Sequence, residues 1–228
     1  MKKIIFGIFA HPDDEAFGPS GTLLMETRSG TELHLITLTV GDAGTNPDNH
    51  DDLGDVRLGE WKKAGKLMGA SSMHFLGYAD GQLNNETMIK AGHKIVELVT
   101  DVIKSAHKDT VIEFMTSDLN GISGHIDHIV AARAACWAFY RLKADDKRLT
   151  RIRLTCVPHE MLPAANANWL YMEPGRAKEE IGEVVDARHL HDEIVAIMRT
   201  HHTQRGDGEG HIERRGNDLG MNYFTIKT

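Results

Sequence analysis

The chain lacks most of the features that would assign it quickly. Its 228 residues include two cysteines, Cys136 and Cys156, far apart and each inside an apolar segment. They form no C-x-x-C pair, and two widely separated cysteines argue against a disulfide framework; buried reduced thiols are the expectation. A basic stripe is missing as well. The 26 Lys and Arg are outnumbered by 33 Asp and Glu, a balance that argues against a nucleic-acid partner. No segment approaches the length of a transmembrane helix, so no membrane span is expected. The apolar run after Met1-Lys2-Lys3 ends at once in His11-Pro12-Asp13-Asp14, too short for a secretory signal, and a cytoplasmic protein is the expectation. No G-x-G-x-x-G follows that run, which removes the fingerprint of a dinucleotide-binding protein. With no repeat, low-complexity tract or linker, residues 1–228 read as a single domain.

What is present is concentrated at the start. Residues 4–15 read IIFGIFAHPDDE: a short apolar run suited to a buried parallel strand, then an imidazole and three carboxylates almost in succession. In open α/β sheets the carboxyl ends of strands form the ligand crevice. A histidine with neighbouring carboxylates suits zinc or a similar divalent ion. Taken alone, the same residues also describe a solvated acidic turn at a helix N-terminus.

Periodicity predicts the rest of the frame. Helices are expected over Ser20–Arg28, Asp55–Met68, Glu86–His107, Ile126 to about Leu142, and His189–Thr200. Strands are expected over Leu33–Val40, Met73–Leu76, Val111–Thr116, Ile152–Val157, Val184–Val185 and Tyr223–Ile226. Pro158 to Pro174 reads as irregular, with Trp169 and Tyr171 as a prospective aromatic wall. The glycine-rich, charged stretch from Arg205 to Gly220 reads as a mobile loop, a candidate lid over the crevice. Strands alternating with helices predict an α/β fold, a Rossmann-like three-layer sandwich with a mostly parallel sheet.

A second cluster, His125-x-Asp127-His128, also follows a strand. Asp127 alone would be read as a helix N-cap, but that does not account for the two flanking histidines. His11, Asp14 and His128 would make three protein ligands with one position left for water, the layout of a catalytic zinc site. Asp13 is then free to accept the proton of an activated water, and a protonated His125, oriented by Asp127, to stabilise an oxyanion.

AHPDDEAFGPSGTL followed much later by GHIDH resembles the LmbE-like or PIG-L-like zinc de-N-acetylases. The resemblance extends over most of the chain, with smaller matches at Arg57-x-x-Glu60, Asp80-Gly81 and His201-x-Thr203-Gln204. It implies a divalent metal, zinc or alternatively iron, on His11, Asp14 and His128. It implies Asp13 as general base, His125 as the oxyanion-stabilising acid, Asp127 supporting His125, and Arg57 contacting substrate. Asp42 stands where the family often has a glutamate and is a second substrate-binding candidate. The loop just before His125 holds no tyrosine, where some members have one. The implied reaction is removal of a small acyl group from an N-acetylglucosamine-type amino-sugar conjugate, a small-molecule partner, with a homo-oligomer left open. Two alternatives stand beside it: a related zinc amidase acting on a thiol conjugate or other non-sugar amide, and a non-catalytic sugar-binding module. The second has no use for Asp13 and His125 beside a metal.

Overall fold

Apolar alternation builds the frame from the first strand outward. The computed structural model describes residues 2–162 and 175–228; the expected aromatic pair Trp169 and Tyr171 lies outside the described residues. Strand β1 (Lys3–Phe9) is buried along nearly its whole length and sends successive side chains to opposite faces. Ile4, Phe6 and Ile8 join one core, and Ile5 and Phe9 the other. Gly7 sits where a Cβ would come within 2.9 Å of Leu35, so a larger residue would push the neighbouring strand away. Each fully buried side chain of this kind stabilises the fold by about 1.5–3 kcal/mol.

The elements that follow are α1 (Asp14–Phe17), α2 (Ser20–Arg28), β2 (Glu32–Thr37), α3 (Leu53–Leu67), β3 (Ser72–Phe75), α4 (Asn85–Ile103) and β4 (Val111–Ser117). Then come α5 (Gly121–Gly124), α6 (Ile126–Lys143), β5 (Leu149–Cys156), β6 (Glu183–Asp186), α7 (His191–Met198), α8 (Arg205–Arg215) and β7 (Met221–Lys227). The seven strands lie in the order β3-β2-β1-β4-β5-β7-β6. β7 runs antiparallel to both of its neighbours, and the other pairings are parallel. One core packs β1 and β4 against α4 and α6; the other packs the opposite face against α2, α3 and α7. The fold is a three-layer α/β sandwich with a mostly parallel sheet. No helix among the described residues is long and apolar enough to cross a membrane.

Two features differ from expectation. Arg205–Gly220 is not a loop: Arg205–Arg215 forms α8, continued by a 3-10 turn at Gly216–Asp218. Interior glycines each cost a helix up to about 1 kcal/mol relative to alanine. Tertiary contacts offset that here, because Gly208 lets the helix lie against Phe17 and Glu209 pairs with Arg199. Second, the N-cap of α6 is His125 rather than Asp127; its Nδ1 accepts the Asp127 backbone N–H at 3.2 Å.

The strand order also fixes where a site forms. From β1 the chain proceeds outward to β2 and β3, then returns to place β4 on the other side of β1. The crevice outside the carboxyl ends of β1 and β4 is therefore a topological switch point. The segments after those two strands carry the two histidine clusters.

Candidate metal centre and its cavity

His11, two residues beyond β1, and His128, in the first turn of α6, meet with His11 Nδ1 and His128 Nε2 3.1 Å apart. Asp14 Oδ1 lies 3.1 Å from His128 Nε2, and Asp14 Oδ2 lies 3.8 Å from His11 Nδ1. Each of the three is oriented from behind. The Ala10 and His11 backbone N–H groups donate to Asp14 Oδ2 at 3.1 and 3.0 Å. His128 Nδ1 faces the Gly121 carbonyl at 3.3 Å, a contact that uses the proton on Nδ1 and leaves Nε2 with its lone pair. His11 Nε2 faces Asp80 Oδ1 at 3.0 Å and Asp127 Oδ2 at 3.4 Å, which leaves Nδ1 with its own. Two such lone pairs at 3.1 Å repel unless a proton or a cation lies between them.

The charges point the same way. Burial alone would lower the His11 pKa, but Asp127, Asp80 and Asp14 raise it to about 10. His128 is likewise raised, Asp14 outweighing its burial. Asp14 would be raised by burial but is held below the usual carboxylate range by His128, His11 and the backbone N–H. Asp80 is pulled down to about 2 against its own burial, chiefly by His11. This is a carboxylate-rich pocket in which a proton on His11 does part of what a dication would do. The donor set, two imidazoles and a carboxylate each presenting one free lone pair to a shared point, fits a divalent ion. The ring nitrogens of His11, His125 and His128 also lie within 4.8 Å of one another. However, His125 already uses Nδ1 as a helix cap, so only its Nε2 faces the cluster.

Asp13 sits beside this group on strained backbone, with φ 115° in the left-handed region. Arg57 of α3 holds it there, donating from Nη2 to Asp13 Oδ2 at 2.9 Å and to the Pro12 carbonyl at 2.7 Å. Arg57 Nη1 donates to the Gly41 carbonyl at 2.5 Å. Burial lifts the Asp13 carboxyl to about 7, with Arg57 opposing the shift. Behind it, His201 Nε2 and Glu15 Oε1 pair at 3.1 Å in full burial. Glu60 accepts from Thr203 N at 2.9 Å and Thr203 Oγ1 at 2.7 Å, which ties α3 to the segment before α8.

The other expected residues fall as follows. Asp127 accepts from the Gly81 and Leu83 backbone N–H groups at 2.8 and 3.3 Å, and its carboxylate faces His11; it meets His125 through its backbone N–H. The His125 pKa is lowered by burial and by its neighbours His128 and His11, and its Nδ1 is taken by the Asp127 backbone N–H. The Asp127 carboxylate thus backs His11 rather than orienting His125, the role expected of it from sequence. Arg57 is buried and engaged with Asp13 and two carbonyls rather than free for substrate. Asp42 is exposed and lines a different depression, with Asp51, Asp52 and Asp55. Asp80 brings a carboxylate to His11 instead, and it was visible in sequence only as a small Asp-Gly match.

A cavity of about 290 Å³ opens from Asp14 and His128 and continues between α1, β5, α8 and β7. Its lining includes Phe17, Ile122, Cys156, His211, Arg215 and Tyr223.

A three-layer α/β fold with a metal-competent histidine–carboxylate cluster at its switch point, and a separate carboxylate beside it, defines a class of hydrolytic enzymes. Residues 6–139 match the family described as PIG-L, GlcNAc-PI de-N-acetylase, and the chain belongs to that family. A 1D-myo-inositol 2-acetamido-2-deoxy-alpha-D-glucopyranoside deacetylase of Salinispora arenicola is 28% identical over 262 residues, covering 96% of this chain and 83% of that protein. Among solved structures, N,N'-diacetylchitobiose deacetylase from Pyrococcus horikoshii aligns with a TM-score of 0.63 and 17% identity, over 99% of this chain and 82% of that one. A 4-carboxy-2-hydroxymuconate hydratase from Pseudomonas putida aligns with a TM-score of 0.66 and 13% identity, over 100% and 97%. The two structural likenesses concern the fold, and the fold by itself does not choose the reaction.

Proposed function

We propose that the chain is a metal-dependent N-deacetylase that removes an acetyl or other small acyl group from an N-acetylglucosamine-type amino-sugar conjugate. The observation that carries this reading is the convergence of His11, Asp14 and His128 on one point, with Asp13 held next to it by Arg57. His11, Asp14 and His128 would hold the ion, zinc or alternatively iron. When bound, the ion acts as a Lewis acid that lowers the pKa of water and polarises the amide carbonyl. Asp13, held in place by Arg57, accepts one proton from the attacking water as the new C–O bond forms. It returns that proton to the departing nitrogen as the C–N bond breaks, giving a free amine and a carboxylic acid. His125 donates its Nε2–H to the developing oxyanion as a neutral imidazole. Asp80 and Asp127 fix the His11 tautomer from behind.

The test is metal analysis of protein purified without chelators, together with acetate release from N-acetylglucosamine conjugates. Protein that carries divalent metal and releases acetate supports the proposal. Protein that binds no divalent metal ends it.

A further inference from the structure

The general base of the proposed reaction stands on a backbone that its neighbours must hold. Asp13 has φ 115° and ψ −27°. For a non-glycine residue such a conformation costs on the order of 1–3 kcal/mol and persists only where the surroundings enforce it. Arg57 Nη2 holds the side chain. A different group holds the backbone: the Asp13 N–H donates to Glu15 Oε2 at 3.3 Å. The other oxygen of that carboxylate, Oε1, lies 3.1 Å from His201 Nε2, 186 residues further along the chain. Both side chains of this pair are fully buried. His201 Nδ1 is buried with no hydrogen-bond partner among the described residues, so the ring spends its polar contact on Glu15.

The segment that carries His201 braces both groups that hold Asp13. His201 meets Glu15; two residues on, Thr203 donates from N and Oγ1 to Glu60, one turn along α3 from Arg57. Gln204 then donates from Nε2 to the Thr45 carbonyl at 2.9 Å and accepts from Thr45 Oγ1 at 3.0 Å, which fastens the same segment to the loop after β2. His201, Thr203, Gln204, Glu15 and Glu60 are all buried. A buried carboxylate–imidazole pair often adds no more stability than apolar packing of the same volume. What it adds is direction, and here the direction ends on the Asp13 N–H.

We propose that His201 is a positioning residue for Asp13: acting through Glu15, it holds the Asp13 backbone in the left-handed conformation and so sets where the carboxylate points. That Asp13 is the base rests on the deacetylase reading; that His201 holds its backbone does not. His201→Phe keeps a ring without the Nε2 donor, His201→Gln returns an N–H near that point, and His201→Asn is too short to reach it. The probe is the methyl glycoside of N-acetylglucosamine, turned over by metal-loaded protein. His201→Phe and His201→Asn are expected to keep the metal and a near wild-type KM while kcat falls roughly 10–100-fold, the scale of a small misplacement of a reacting group. His201→Gln recovers most of that loss. In an Asp13→Asn background His201→Phe costs no further kcat, because both act through one carboxylate. Wild-type kcat in His201→Phe and His201→Asn, equal losses in all three substitutions, or losses that add to that of Asp13→Asn each overturn the proposal. If His201→Phe does not fold, His201→Gln and His201→Asn carry the comparison. Crystal structures of wild type and His201→Asn supply a readout independent of turnover: φ of residue 13 is expected to leave the left-handed region, and an unchanged φ overturns the proposal. Should the protein show no turnover, or Asp13→Asn retain full kcat, the deacetylase or base reading fails and φ still decides the role of His201.

Discussion

Two clusters of buried charge share the sheet, and they are balanced differently. On the face that carries α2, Lys3, Arg151 and Arg153 interlock with Glu26, Glu113 and Glu183, three cations against three anions. Arg153 at its centre is 1% exposed and lies 2.8 Å from Glu26 and 3.1 Å from Glu113. At the carboxyl ends of the strands, by contrast, Asp13, Asp14, Asp80 and Asp127 meet Arg57 and three histidines. The first cluster is closed and needs nothing from outside. The second, on the proposed reading, takes up a divalent cation in place of the protons on its histidines, and that exchange is what would separate a site from a staple.

The sharpest way to test this contrast is to remove one member from the open cluster. His128→Ala should abolish retention of divalent metal. Asp13→Asn should keep the metal and lower kcat by roughly 10²–10⁴-fold, the usual contribution of a general base. Metal analysis and acetate release on the same preparations separate the two effects, and a fully active Asp13→Asn would remove the base from the mechanism. In the closed cluster the loss is one of stability. Arg153→Met leaves two cations, Lys3 and Arg151, facing three carboxylates and should cost about 3–5 kcal/mol by denaturant unfolding. A cost near zero would mean that the network is ornamental.

Acidity separates the clusters again. In chelator-treated protein the folded state holds the Asp13 proton to about pH 7, whereas the unfolded chain releases it near 3.8. The native state therefore binds more protons in that window, and Asp13 makes stability fall as pH rises through it, by something on the order of 4 kcal/mol. Asp13→Asn should flatten that slope. Glu26 behaves in the opposite sense: burial would raise its pKa, but Lys3 and Arg153 hold it below 4.5. Its contribution is present above that value and is lost as pH falls through the lower, folded one. Glu26→Gln should remove this acid-side loss in pH-dependent thermal unfolding. The smallest effect is expected at the rim, where Lys3 is 22% exposed; Lys3→Met should cost no more than about 1 kcal/mol.

Which parts of this were legible in sequence follows from how local each signal is. His11, Asp13 and Asp14 are nearly consecutive, and His125 and His128 flank one helix start, so each cluster could be read in a short window. Their meeting at one sheet edge followed from alternating strands and helices. Asp42 and Asp80 both occupy polar turns after strands, and nothing local says that only Asp80 reaches His11. The role of Arg57 depends on where Asp13 lies in space, which is a tertiary fact. α8 was hidden because glycine content speaks of propensity, while Phe17 and Arg199 supply contacts from elsewhere.

The position of β7 has a consequence for how the protein is made. Residues 221–227 form an interior strand between β5 and β6, and Asn222 ties it to Thr22. Translation therefore delivers the histidine-bearing loops long before it delivers the strand that helps enclose the cavity beside them. Until residue 227 has cleared the ribosome, β5 is a bare edge open to a neighbouring nascent chain. A chain interrupted within β7 would therefore leave β5 exposed as a seed for aggregation.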